Sequence, residues 1–103
     1  MELRFEWDEA KNRRNIDKHG LDFHDAMELF LGVDPFLVAL ESPKDCGEDR
    51  WKGIGVLRGG IVVVVAFVER GEDTIRIISL RKANRSERAA YEKAVKKQLG
   101  QGE

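Results

Sequence analysis

The apolar positions change period along the chain, and each change marks an element. Leu3, Phe5 and Trp7 alternate with Arg4 and Glu6, which predicts a short strand. Asp8 follows as an N-cap, and a helix is expected through about Lys18. That helix is polar, with only Ala10 and Ile16 to bury, so its second face is either wet or covered by a partner. It stops at Lys18-His19-Gly20, where cations meet the negative helix end and glycine terminates. Asp22 opens a second helix whose Phe23, Ala26, Met27 and Phe30 share one face. Asp34-Pro35 breaks it, and Phe36 to Leu40 reads as a strand before the polar loop ESPKDCGED.

Three strands then form a meander: about Arg50–Leu57, Ile61–Glu69 and Thr74–Arg81. Arg58-Gly59-Gly60 and the Arg70–Asp73 segment are its turns. The run IVVVVAFV lacks alternation, which predicts a central strand covered on both faces. Asn84 caps the last helix, with Glu87 placed to complete a capping box, and Tyr91, Ala94, Val95 and Leu99 form its core stripe. The order β-α-α-β-β-β-β-α, with turns too short for parallel crossovers, predicts an α+β fold with an antiparallel sheet packed by helices.

A chain of 103 residues is expected to be a single domain, spanning 1–103. Such a domain buries roughly two thirds of its unfolded surface, enough for a core without staples. The lone cysteine, Cys46, excludes an internal disulfide framework and a cysteine-rich zinc site, and points to a reducing cytoplasm. The N-terminus lacks an apolar signal region, and the apolar run Ile61 to Val68 is too short for a membrane span. No Walker loop, dinucleotide fingerprint or metal-ligand spacing occurs, so no cofactor and no metal is expected.

Charge changes the picture. Net charge is −1, but residues 1–75 hold 10 basic and 16 acidic side chains, whereas residues 76–103 hold 8 basic and 3 acidic. A binding face needs a local field, and this asymmetry supplies one. With a tight turn at 70–73, residue 62 is expected opposite 81, and Trp51 near Phe67. Two polar clusters then stand at opposite ends of the sheet, roughly 25 Å apart at the usual rise per residue. One holds Glu48, Arg50, Arg70 and Arg76; the other holds Arg58, Arg81, Lys82, Arg85 and Arg88.

Each feature also has a plainer reading. The second cluster is equally what a solvated helix face looks like, although Arg85 and Arg88 sit where the helix dipole disfavours cations and a phosphate would reverse that sign. The first cluster reads as surface ion pairing around Glu48, each exposed pair contributing about 0–1 kcal/mol. His19 serves as a C-terminal helix cation, His24 faces solvent, and Trp7 and Trp51 pack. Cys46 has no histidine nearby in sequence, which weighs against a nucleophile.

Three segments together resemble a known family. FEWDEAKNRRNIDKHGLDFHDA (5–26), GEDRW (47–51) and ERGEDTIRIISLRKANRSERAAYE (69–92) resemble the BrnT bacterial toxins, over nearly the whole chain. The resemblance implies a RelE-like fold, a type II toxin–antitoxin system, a cytoplasmic ribonuclease activity and inhibition of translation. It implies a BrnA-like ribbon-helix-helix antitoxin, and operator DNA bound only through the toxin–antitoxin complex. Val68 stands where the family more often has Thr.

RNA is cut without a metal when its own 2′-OH attacks the adjacent phosphorus. The reaction needs a base, cations for the pentavalent transition state and an acid for the leaving 5′-oxygen. Basic clusters suit the second task, since one well-placed donor is worth about 10²–10³ in rate. Arginine serves poorly for proton transfer because its pKa exceeds ~12. The proton-handling candidates are therefore Glu48, His19, Tyr91 and Lys82. By resemblance of fold, Arg58, Arg81 and Tyr91 are catalytic candidates at one end of the sheet. By the family motif, Glu48, Arg50, Arg70 and Arg76 are candidates at the other. Arg58, Lys82, Arg85 and Arg88 are candidates to hold RNA, free or ribosome-associated. Tyr91 also fits the core stripe. The competing reading is a non-catalytic RNA- or antitoxin-binding module of the same fold, favoured by the acidic residues 1–75 and by Val68. A protein with no nucleic-acid role fits least, given eight cations within 76–97.

Overall fold

The computed structural model describes residues 2–32, 34–42 and 49–99. Glu48 and Cys46 lie outside the described residues. Five strands form one sheet: β1 (Arg4–Glu6), β2 (Leu37–Ser42), β3 (Arg50–Leu57), β4 (Ile61–Arg70) and β5 (Thr74–Lys82), in the spatial order β1-β5-β4-β3-β2. Helix α1 (Glu9–His19) follows β1, a 3-10 turn (Phe23–Ala26) leads into α2 (Met27–Leu31), and α3 (Arg85–Leu99) closes the chain. The α+β architecture and element order are as the pattern predicts. β2 to β5 pair antiparallel, whereas β1 joins the edge of β5 in parallel, Arg4 opposite Thr74 and Glu6 opposite Arg76.

Turn chemistry fixes the meander. Gly59, Gly60 and Gly71 hold positive φ at the two hairpin turns. β4 is central, as its unbroken apolar run requires. Val63, Val65 and Phe67 face the helical layer, where they meet Phe23, Ala26 and Leu29. Phe30 gathers three further rings, its centroid 5.5 Å from Phe5, 4.9 Å from Phe36 and 5.0 Å from Phe67. Phe36 in turn packs closely against β3 because Gly53 and Gly55 have no side chain there; a methyl at Gly53 would stand 2.5 Å from the ring.

Helix α1 packs differently from its sequence pattern. The two expected apolar contacts, Ala10 and Ile16, are exposed, and the buried residues are Asn12 and Asn15. Asn12 accepts from the Phe23 N–H and donates to Asp22, which itself caps the 3-10 turn. The Asn15 amide donates to the carbonyls of Leu21 and Leu80 and accepts from the Leu80 N–H. β1 covers β5 only as far as Arg76, so Asn15 satisfies the edge of β5 where the neighbouring strand has ended. Every buried side-chain nitrogen and oxygen among the described residues has a partner.

The last strand contains the feature that governs the site. Phe67 pairs with Ile77, but Ala66 pairs with Ser79, so Ile78 is an extra residue bulged out of register. The turn pairs Arg70 with Thr74, one residue beyond the expected Asp73, and the bulge adds one more, so Val64 faces Arg81 and Val63 faces Lys82, which corrects the expected pairing of 62 with 81. The pairing of Trp51 with Phe67 is as expected.

Candidate functional site: a cationic sheet face under the last helix

Side chains alternate along a strand, so Arg76 and Arg81, five residues apart, belong on opposite faces of a regular strand. The Ile78 bulge restores them to one face. There the register aligns Arg76 with Val68, Ser79 with Ala66 and Lys52, and Arg81 with Val64 and Ile54. Arg50 and Arg70 carry the same parity on β3 and β4. Successive rows stand about 6.6 Å apart, so Arg76 and Arg81 are separated by about 13 Å along the sheet. The two clusters expected at opposite ends are thereby corrected. Arg81, one residue before the end of β5 and opposite Val64, lies on the same face as Arg50, Arg70 and Arg76.

Glu87 organises the centre of this face. The expected capping box is present: the Glu87 N–H donates to Asn84 Oδ1 and the Asn84 N–H donates to Glu87 Oε1. The same carboxylate accepts both ends of the Arg81 guanidinium fork, Nη1 on Oε1 and Nη2 on Oε2, each at 2.8 Å. Lys52 Nζ reaches Oε2 at 3.3 Å. Four donors therefore converge on one carboxylate. Its hydrogen bonds to Arg81 lead the causes that hold its pKa down at about 2, with the Asn84 N–H and Lys52 adding to them. At neutral pH the group is an anion and too weak a base for proton transfer. Sequence reasoning identified Glu87 only as a cap and missed Lys52. The box was visible within four residues, whereas Lys52 arrives from another strand.

Arg76 makes a separate ion pair with Glu6 of β1, Nη1 to Oε2 at 3.1 Å. Lys52, Arg76 and Arg81 keep 35%, 31% and 37% of their side-chain surface, so all three remain reachable from solvent. Arg50 and Arg70 are exposed near the rim.

The other candidates fall elsewhere. Tyr91 is 6% exposed, and its hydroxyl donates to the Pro35 carbonyl at 2.7 Å, tying α3 to the segment before β2. Burial, with the nearby Asp34 carboxylate, raises its pKa. The core-stripe reading describes that placement. Arg58 sits in the β3–β4 turn, its N–H on Glu28 Oε1 at 3.4 Å and its guanidinium 4.0 Å from Oε2. Lys82, opposite Val63, points to the other face from Arg81. Arg85 and Arg88 are exposed on the first turn of α3. His19 ends α1, and exposed His24 stands edge-on to Trp7 at 6.1 Å. Trp7 packs edge-on against Phe23.

Residues 7–87 match the family described as the ribonuclease toxin, BrnT, of type II toxin–antitoxin systems. The crystal structure of the Brucella abortus ribonuclease toxin BrnT is similar at 36% sequence identity and a TM-score of 0.61, over 81% of this chain and 99% of that one. Among curated proteins no relative matches. The chain belongs to the BrnT family of type II toxin–antitoxin toxins.

Proposed function

We propose that this toxin is a metal-independent endoribonuclease of RelE-like fold whose substrate lies on the cationic sheet face. The observation that carries the reading is the convergence of Lys52, Arg76 and Arg81 on one reachable face, flanked by Arg50 and Arg70. Cations there stabilise the pentavalent phosphorane formed when a 2′-OH attacks its own phosphate. The product is a 2′,3′-cyclic phosphate and a free 5′-OH, and translation stops because the message is cut. Arg81 and Lys52 are assigned to the scissile phosphate, Arg76, Arg70 and Arg50 to its neighbours. Glu48, two residues before Arg50 in sequence, is assigned as the base. Arg85 and Arg88, exposed on the first turn of α3, serve as outer contacts for RNA, ribosome-bound or free, and Arg58 in the β3–β4 turn and Lys82 on the opposite face would meet only RNA that continues past the sheet. Tyr91 supports the site through Pro35 and takes no part in proton transfer.

The family implies an antitoxin. We assign it as a BrnA-like ribbon-helix-helix protein that neutralises the toxin in the cytoplasm, with operator DNA bound through the complex. Purified antitoxin-free protein, in EDTA, should cut a defined single-stranded RNA, with and without ribosomes in parallel reactions. Arg81→Ala and Arg76→Ala should each lower the rate about 10²–10³-fold. Arg13→Ala, on exposed α1, should leave it unchanged. Cleavage that survives both site substitutions would remove the assignment. Binding of RNA without any product would select the non-catalytic module.

A further inference from the structure

Glu87 presents an apparent contradiction. A face that binds a polyanion has a carboxylate at its centre, held by four donors and 14% exposed at the side chain. As a cap alone it needs one acceptor oxygen for the Asn84 N–H. The bidentate fork fixes the plane of the Arg81 guanidinium, and the shared Oε2 sets the Lys52 ammonium beside it. An arginine and a lysine on long, flexible stems are thereby held in one geometry before substrate arrives. Glu87 lowers the charge of the cluster from +2 to +1, which weakens attraction for phosphate in the ground state.

We infer that Glu87 is a positioning residue that trades RNA affinity for turnover, by fixing Arg81 and Lys52 where charge develops on the scissile phosphate. This rests on the ribonuclease reading above. The carboxylate itself touches no reacting atom. Its alignment of the two cations matters because a misplacement of about 1 Å in a catalytic group costs on the order of 10²-fold in rate. The ion pair is stronger than an exposed one because the fork is bidentate and two further donors, the Asn84 N–H and Lys52, lock the carboxylate.

The test separates affinity from rate. Glu87→Gln keeps an acceptor for Asn84, since glutamine also serves in a capping box, and removes the charge. Its affinity for single-stranded RNA should rise about 3–10-fold at low salt, and its salt slope should steepen by about 0.7, the increment for one more free cation. Its kcat should fall about 10–100-fold, with a lower KM. Arg81→Lys, which keeps charge but loses the fork, should cut kcat similarly without tightening binding. Unchanged kcat in Glu87→Gln, or binding and kcat falling together alongside lost thermal stability, would reduce Glu87 to a tether and overturn the inference. If the wild type cuts no RNA with or without ribosomes, the ribonuclease reading fails and the inference falls with it. A wild type that cuts, beside a Glu87→Gln variant that cuts equally well, removes the inference alone.

Discussion

At the scale of single residues, Glu87 also ties stability to pH. Its folded pKa of about 2 lies below the ordinary carboxylate value of 4.5. A depressed carboxylate stabilises the fold above its unfolded pKa, and that contribution disappears as pH falls through the folded value. The loss should therefore run between about pH 5 and pH 2. The full shift corresponds to about 3 kcal/mol, reduced to about 1–2 kcal/mol because Arg81 and Lys52 are partly solvated. Denaturant titrations across this range should show the decline in the wild type and a shallower one in Glu87→Gln. Equal slopes in the two would mean that another group carries the acid sensitivity. Asp8 and Asp22, both lowered by backbone N–H donors at their helix ends, act in the same direction and remain in the variant.

At the scale of elements, the strands were legible because alternation, turn glycines and the apolar run of β4 all agree. The parallel seat of β1 was not, since nothing local distinguishes a parallel edge from an antiparallel one. Helix α1 misled for a physical reason: polar residues in a helix ordinarily face water, and Asn12 and Asn15 instead replace missing backbone partners. The bulge did leave a trace. Ile75, Ile77 and Leu80 all face the core, and their spacing of two and then three breaks the strand period at Ile78. The capping box was legible from Asn84 and Glu87, but its cations depend on pairing across the sheet. The packing of Phe36 on β3 yields a sharper check. Gly53→Ala places its methyl into the Phe36 ring, which forces Phe30 and Phe36 to shift and should cost about 1–3 kcal/mol. Thermal melting should show the loss as a midpoint lowered by roughly 4–8 °C per kcal/mol in a domain of this size. An unaltered midpoint would mean that the ring moves freely and the fit is loose.

At the scale of the whole molecule, net charge is a poor guide to what the surface attracts. The chain carries −1 overall, yet Arg50 and Lys52 from its acidic portion are brought beside Arg76 and Arg81 from its basic one. Binding of single-stranded RNA should therefore depend on salt despite the neutral balance. If Arg50, Lys52, Arg76 and Arg81 each neutralise a phosphate, log K should fall against log salt with a slope of about −2.8. Fluorescence anisotropy at graded salt concentrations measures this directly. A slope near zero would show that the face does not contact the RNA backbone.

One amide has a consequence for what the toxin can join. A sheet grows by offering unpaired backbone groups to another chain, and edges left open are where proteins stick to themselves. On the β5 side this molecule offers a three-residue strand, and beyond it the side chain of Asn15 sits on Leu80 in place of a further strand. The β2 side has no such guard among the described residues. Among the described residues, a chain that lengthens this sheet by a strand of ordinary length finds the β2 border without such a guard, whereas on the other border it meets the Asn15 amide already seated on Leu80.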